Sequence, residues 1–272
     1  MSTITAHMVV KNEDQWIWFA IHSVLPHVDK FLIMDTGSTD NTLKIIRSIK
    51  SSKIKLTTTT INSPSELTQI RQDQLDATTT PWIWIVDGDE IYPKATIQEI
   101  VQAVKIDQYE GIVVRRHDLL GDIYHAQDES VGEYNLFGHR GHLVTRLVNK
   151  DKIKGLHYQG DYPLEGFFDR DNQSTRDRNP DNWYISSRYL YHAMYLKRSS
   201  EGANLKSVLH RSKYKVETGH PLDTHYPEVF DLVHPSFVPN PLINRSLAYN
   251  LAASIITPVK KLKRQHFDYS NN

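Results

Sequence analysis

The chain contains no cysteine, carries no net charge and shows no internal repeat. The lack of cysteine excludes disulfides, zinc–thiolate sites, iron–sulfur clusters and cysteine nucleophiles together. Lys and Arg number 32, and so do Asp and Glu, so the broad basic surface of a nucleic-acid-binding protein is also excluded. We therefore expect no nucleic-acid partner.

Long hydrophobic runs are lacking as well. The longest compact apolar run is Trp82–Val86, against the roughly 20 residues that cross a bilayer. The first ten residues have neither the basic nor the apolar region of a secretory signal. Together with the missing cysteines, these features predict a cytoplasmic protein.

What the chain does contain is an alternation of apolar strand patterns and amphipathic helix patterns. Its 272 residues suit one large domain or two small ones. Strands are predicted, in chain order, at residues 4–10, 31–35, 54–61, 82–86, 111–115 and 143–148. Helices are predicted between them at 15–25, from 42 to about 49, at 66–77 and at 95–104. This order predicts an α/β fold with a doubly wound, mostly parallel sheet.

Polar residues follow three of the predicted strands. Asn12 follows the first strand, Asp35 ends the second, and Asp87 and Asp89 follow the fourth. In doubly wound sheets, ligands bind beyond the carboxyl ends of the strands. These side chains are therefore candidates for one shared site.

Asp87 and Asp89 flank a glycine, which lets the chain turn sharply and aim both carboxylates into one space. Two close carboxylates repel each other unless a proton or a cation lies between them. Mn²⁺ or Mg²⁺ meets this need and binds diphosphate oxygens in turn. The alternative is an ordinary Asp-Gly turn with solvated charges.

These residues resemble glycosyltransferase family 2. The resemblance rests on Lys11-Asn12-Glu13, on Asp35-Thr36-Gly37-Ser38-Thr39-Asp40-Asn41-Thr42, on Arg71 and on Val86-Asp87-Gly88-Asp89-Glu90. It covers residues 3–116 well and the remainder loosely. It implies a GT-A type fold, a nucleoside-diphosphate sugar donor, a divalent metal and inversion at the anomeric carbon.

The resemblance also implies roles for individual residues. Val10, Asn12, Glu13 and Asp35 are expected to contact the nucleoside. Some members of the family have an acidic residue after the one at Asp35, and it meets the base. This chain has Thr36 there, which leaves uracil recognition open.

The diphosphate and the metal are assigned in the same way. Arg71 is expected near the diphosphate, although a surface helix arginine would look the same. Asp87 and Gly88 are expected to contact the donor, with Asp87 on its sugar–ribose side. The metal ligands expected are Asp87, Asp89 and His192, the last at the end of an apolar, aromatic run. For His192 a buried structural histidine is the alternative.

An inverting transfer needs a carboxylate that takes the proton from the acceptor hydroxyl. Residues 160–166, Gly-Asp-Tyr-Pro-Leu-Glu-Gly, supply two acids. Glu165 is the preferred base and Asp161 the second choice. Both could instead be exposed acids of a turn.

Three regions are predicted. Residues 1–116 form the nucleotide-sugar half, residues 117–254 the acceptor and base half of the same domain, and residues 255–272 a basic tail. Within the second half we predict a long polar loop over 117–140, an exposed loop over 169–183, a basic helix over 200–216 and irregular chain over 221–241. The tail combines basic and apolar residues, which predicts at most weak peripheral contact with an anionic membrane. A solvated tail is the alternative.

The sequence therefore favours an inverting, metal-dependent hexosyltransferase with a glycan or lipid-linked acceptor. Two alternatives stay open. One is a phosphatase or phosphotransferase that uses Asp87 and Asp89, and the other is a non-catalytic module that binds nucleotide sugars or glycans.

Overall fold

The computed structural model describes residues 3–61, 63–161, 164–196, 215–222 and 225–268. The predicted helix over 200–216 lies almost entirely outside these ranges.

The first half of the chain alternates strands and helices as predicted. Its strands are β1 (Ile4–Val10), β2 (Lys30–Asp35), β3 (Ile54–Thr58), β4 (Trp82–Ile85) and β5 (Glu90–Ile91). Its helices are α1 (Ile17–Val24), α2 (Thr42–Ser48), α3 (Pro64–Asp76) and α4 (Lys94–Ile106). The third strand is shorter than predicted, because the pairing of β3 with β2 ends at Thr58.

The second half contributes β6 (Gly111–Asp118), β7 (His125–Ala126), β8 (Tyr134–Leu136), β9 (His139–Gly141), β10 (Leu143–Asn149), β11 (His157–Gln159), β12 (Gly166–Phe168), β13 (Trp183–His192) and β14 (His220–Pro221). The prediction of one long loop over 117–140 is wrong, because β6 continues to Asp118 and β8 and β9 form a short hairpin. A last helix, α5 (Leu247–Asp268), takes in most of the predicted tail.

Eight strands form the main sheet in the order β3-β2-β1-β4-β10-β6-β13-β5. Neighbours pair in parallel from β3 to β4 and again between β6 and β13. β10 is antiparallel to both β4 and β6, and β5 is antiparallel to β13. The predicted α/β fold with a mostly parallel sheet is confirmed.

The sheet is buried on both faces. Along β4 the side chains alternate, so that Trp82 and Trp84 enter one apolar cluster while Ile83 and Ile85 enter another. The first cluster includes the buried face of α1, and the second includes Leu75 at the end of α3. Because β4 is covered by an apolar cluster on each face, all of its residues are apolar. The first polar residues therefore come only where the strand ends.

Within the described residues, no helix is both long and apolar enough to cross a membrane.

Candidate active site

The candidate site lies where β1, β2 and β4 end, because these neighbouring parallel strands finish at the same edge of the sheet. Because Gly88 has no side chain, the loop after β4 can lie close to the end of β1 and to the loop that follows it. A Cβ atom added at Gly88 would stand 3.2 Å from Glu13 Cβ and 3.3 Å from Val10 Cγ2. A larger residue at Gly88 would push these two loops apart. The structure thus brings together the predicted residues of the first and fourth strands.

Asp35 and Asn12 are tied to the loop that follows β2. Asp35 Oδ1 accepts hydrogen bonds from the backbone N–H groups of Gly37, at 3.0 Å, and Ser38, at 2.9 Å. Asn12 Oδ1 accepts one from Thr39 N–H at 2.7 Å. Both side chains are buried. They therefore shape this loop, and their contact with a nucleoside stays a prediction.

Arg146, on β10, joins two of the acids that follow β4. Its guanidinium donates to Asp87 Oδ2 at 2.6 Å and to Glu90 Oε1. The side chain of Asp87 is 36% exposed, whereas that of Glu90 is fully buried. One arginine thus holds a partly exposed acid and a buried acid at once.

Burial and charge act in opposite directions on these two acids. Burial favours the neutral form of Asp87, but Arg146 and Arg71 outweigh it and hold its pKa below the usual value. Burial dominates at Glu90 and raises its pKa, although Arg146 opposes the rise. Asp87 is therefore kept ionised at the rim of the site.

His192 lies beside Asp89 because the end of β13 pairs with β5, the short strand that follows the acidic loop. Ala193 N–H donates to Asp89 O at 2.9 Å, which fixes the two segments together. His192 Nε2 is then 3.5 Å from Asp89 Oδ2. Both side chains are buried. The pairing of β13 with β5 thus places His192 next to Asp89, although the two residues are distant in sequence.

The other face of the His192 ring is held by Asp118, at the end of β6. The Nδ1–H group of His192 donates to Asp118 Oδ1 at 2.9 Å, since a carboxylate can only accept. Arg116 Nε and His142 Nδ1 also lie near this carboxylate, at 3.1 and 3.5 Å. Burial alone would lower the pKa of His192, but Asp89 and Asp118 raise it. Asp118 fixes the ring with Nε2 facing Asp89.

The arrangement fits a cation held by two protein ligands. Asp89 and His192 face each other, and a carboxylate behind the histidine is the usual support of a metal-binding imidazole. In the part of the chain that the structure describes, no three His, Asp or Glu side chains are grouped as metal ligands. Asp87, expected as a third ligand, pairs with Arg146 through Oδ2, and its contact with a metal stays a prediction. The remaining ligands would have to come from a diphosphate and water, as is common for Mg²⁺.

Arg71 and Glu165 form an ion pair. Helix α3 packs on β11, where Gln72 Oε1 accepts a hydrogen bond from Tyr158 N–H at 2.8 Å. This packing brings Arg71 Nε to 3.3 Å from Glu165 Oε1, with the two side chains 17% and 10% exposed. Arg71 also acts on the charge of Asp87, so the pair belongs to the same electrostatic neighbourhood. Burial raises the pKa of Tyr158 to about 12.

Asp161 has a different setting. It is exposed, and with residues of α3 and β11 it lines a cavity of about 280 Å³. The cavity is formed by Ser65, Thr68, Gln69, Gln72, Tyr158, Gly160 and Asp161. Of the two predicted bases, Glu165 is partly buried and pairs with Arg71, whereas Asp161 is exposed.

Sequence reasoning missed Arg146 and Asp118. Arg146 is the one charged residue within the apolar strand pattern of residues 143–148. Because arginine is rarely buried without a partner, its position indicates a buried acid nearby. For Asp118 the signal was hidden, because the predicted strand stops at Arg115 and the observed strand continues to Asp118.

Comparison with known proteins identifies the family of the chain. The model of glycosyl transferase family 2 matches residues 5–158, which is more than half of the chain. Glycosyltransferase SunS of Bacillus phage SPbeta and its prophage-derived counterpart in Bacillus subtilis (strain 168) are each 26% identical over 116 residues. That match covers 40% of this chain, and the chain spans only a quarter of the length of these relatives.

Solved structures resemble the chain weakly. S. aureus TarS matches with a TM-score of 0.48 and 12% identity, over 71% of this chain and 37% of that one. The glucosyl-3-phosphoglycerate synthase of Mycobacterium tuberculosis, in complex with Mn²⁺, UDP and phosphoglyceric acid, matches with a TM-score of 0.33 and 21% identity. That match covers 42% of this chain and 43% of the synthase. The main sheet is of the GT-A type that the sequence resemblance predicts. Because the family model matches more than half of the chain, the chain belongs to glycosyl transferase family 2.

Proposed function

We propose that the protein transfers a sugar from a nucleoside-diphosphate sugar to an acceptor hydroxyl, with inversion and with Mn²⁺ or Mg²⁺ bound. The observation that carries the proposal is the Asp89–His192 pair backed by Asp118, at the strand edge of a family 2 chain. When bound, the cation would neutralise charge on the departing diphosphate.

The protein's own side chains divide the remaining work. Asp87, held ionised at the rim by Arg146, would accept hydrogen bonds from sugar or ribose hydroxyls. Arg71, beside it, would contact the diphosphate. Asp89 and His192 would hold the cation, with the ring fixed by Asp118.

Glu165 is the carboxylate we propose as the base. In the transfer, the acceptor oxygen forms a bond to the anomeric carbon while the bond from that carbon to the diphosphate oxygen breaks. Glu165 takes the acceptor proton, and the diphosphate leaves with the bonding electrons. Its partly buried position beside Arg71 supports this role over the exposed Asp161. A hexose donor, a glycan or lipid-linked acceptor and a cytoplasmic location stay predictions.

The metal assignment can be tested by calorimetry. UDP, GDP, TDP and CMP are titrated with and without Mn²⁺ to find the nucleotide that binds. Asp89→Asn is then compared with Asp171→Asn, an exposed acid on another loop with 78% of its side chain accessible. We expect EDTA or Asp89→Asn to lower the affinity about tenfold or more and Asp171→Asn to leave it unchanged. Melting temperatures check that both variants fold.

Two results decide against the proposal. Equal nucleotide affinity with and without metal would show that Asp89 and His192 do not hold a cation. Binding of a nucleotide sugar that never leads to transfer or hydrolysis would favour a non-catalytic binding module instead.

A further inference from the structure

Among the described residues, helix α5 is fastened to the protein along one face. Tyr249, Ala253 and Thr257 are buried on that face, and Thr257 Oγ1 accepts a hydrogen bond from Thr218 N–H at 2.8 Å. Further along the same face, Arg264 donates two hydrogen bonds of 2.7 Å to the buried carboxylate of Glu217. These contacts fix how the helix is rotated about its axis.

The opposite face of α5 is apolar and exposed. The residues that form it follow one another at intervals of four, four, four and three along the helix. They are Leu247, Leu251, Ile255, Val259 and Leu262, with exposed fractions of 82%, 68%, 71%, 64% and 59%. At 1.5 Å per residue the stripe is roughly 22 Å long. Single exposed apolar residues are ordinary, but a continuous stripe on a fixed helix marks a contact surface.

Basic residues border this stripe. Lys261 and Lys263 are exposed and lie on opposite sides of Leu262, since successive helix residues are about 100° apart. No Asp or Glu occurs between Asp231 and Asp268. An apolar stripe with a lysine on each side of its last residue is a pattern of a helix that lies in the plane of a membrane interface.

We propose that the outer face of α5 binds the surface of an anionic membrane, with the helix lying parallel to it. Anionic head groups complement the two lysines, and the acyl boundary takes up the apolar stripe. A second copy of the chain fits this face less well. Two α5 helices packed face to face would offer no acid from the stretch between Asp231 and Asp268 to meet either pair of lysines. The proposal is independent of sugar transfer.

The test is co-sedimentation of the full chain, without nucleotide, with vesicles of phosphatidylcholine containing about one third phosphatidylglycerol. Leu251→Gln/Ile255→Gln removes two residues of the stripe. Asn250→Gln/Ser254→Gln is the matched control, because it places the same residue at exposed positions next to them on the same helix. Lys261→Gln/Lys263→Gln tests the charges and leaves the contact of Arg264 with Glu217 intact.

We expect the wild type to bind these vesicles and to bind pure phosphatidylcholine far less. The stripe variant should bind about tenfold or more weakly, and the control should bind as the wild type. Each lysine removed should cost about fivefold at low salt. No binding, or equal binding by the stripe variant and its control, overturns the proposal. So does a dimer of the wild type in light scattering that the stripe variant abolishes, because a second copy would then cover this face.

Discussion

Replacing Arg146 with methionine tests whether one buried guanidinium holds the acidic edge of the site together. Methionine keeps much of the side-chain volume and removes the charge. The hydrogen bonds to Asp87 and Glu90 are lost with it. Asp87 can turn to water, because its side chain is 36% exposed, but Glu90 cannot, because its side chain is fully buried.

The expected cost follows from this difference. Removing one partner of a buried ion pair leaves an uncompensated charge, which typically costs about 3–5 kcal/mol of the free energy of unfolding. We expect a loss in this range for Arg146→Met. Arg115→Met is the control, because Arg115 lies on the neighbouring strand and pairs with Glu129 at 3.5 Å in a more accessible position. That pair should contribute about 1 kcal/mol or less.

The assay is urea denaturation of the wild type, Arg146→Met, the control Arg115→Met, Glu90→Gln and the double variant Arg146→Met/Glu90→Gln. Glu90→Gln removes the charge that the single variant leaves buried. The double variant should therefore recover about 2 kcal/mol or more relative to Arg146→Met. A loss below about 1 kcal/mol in Arg146→Met, or a double variant as unstable as the sum of the single ones, would refute this account.

The pH dependence gives a second check. Burial already raises the pKa of Glu90, and loss of Arg146 removes the main opposing charge. Folded Arg146→Met then binds a proton at a pH at which the unfolded chain does not. Its stability is therefore highest below the unfolded-state pKa and falls, by up to about 1.4 kcal/mol per pH unit, as the pH rises through the folded-state pKa. The deficit relative to the wild type should shrink in acid.

Two further outcomes are expected. Glu165→Gln should leave nucleotide binding intact and reduce transfer by about 10²-fold or more, whereas Asp161→Asn should stay active; the reverse pattern in steady-state kinetics would move the base to Asp161. Gly111→Ala should destabilise the fold by about 1–3 kcal/mol in thermal unfolding, because its Cβ would overlap the ring of Trp183. Gly166→Ala, whose nearest contact would be 3.9 Å away, is the control, and equal losses would show that the Trp183 ring yields.

The edge of the sheet at Val10, Asp35 and Asp87 could be predicted from the sequence. Each of these residues closes or follows an apolar run, and alternating strands and helices force such runs into parallel neighbours. A strand that is apolar on both faces, such as β4, must also be central, so its first polar residues lie at its end. These inferences need only local hydrophobic patterns and the rule that strands joined by a helix pair in parallel through right-handed crossovers.

The partners of these acids could not be predicted in the same way. Arg146 reaches Asp87 and Glu90 because β10 inserts antiparallel between β4 and β6, an order that no local pattern encodes. His192 reaches Asp89 because β13 pairs with the two-residue strand β5. The sequence by itself determined the strands β1 to β4, their parallel arrangement and the acids at their ends. Only the tertiary structure decided that Arg146 and His192 are the side chains that meet those acids. The reason is that pairing between strands distant in sequence depends on how the whole sheet packs.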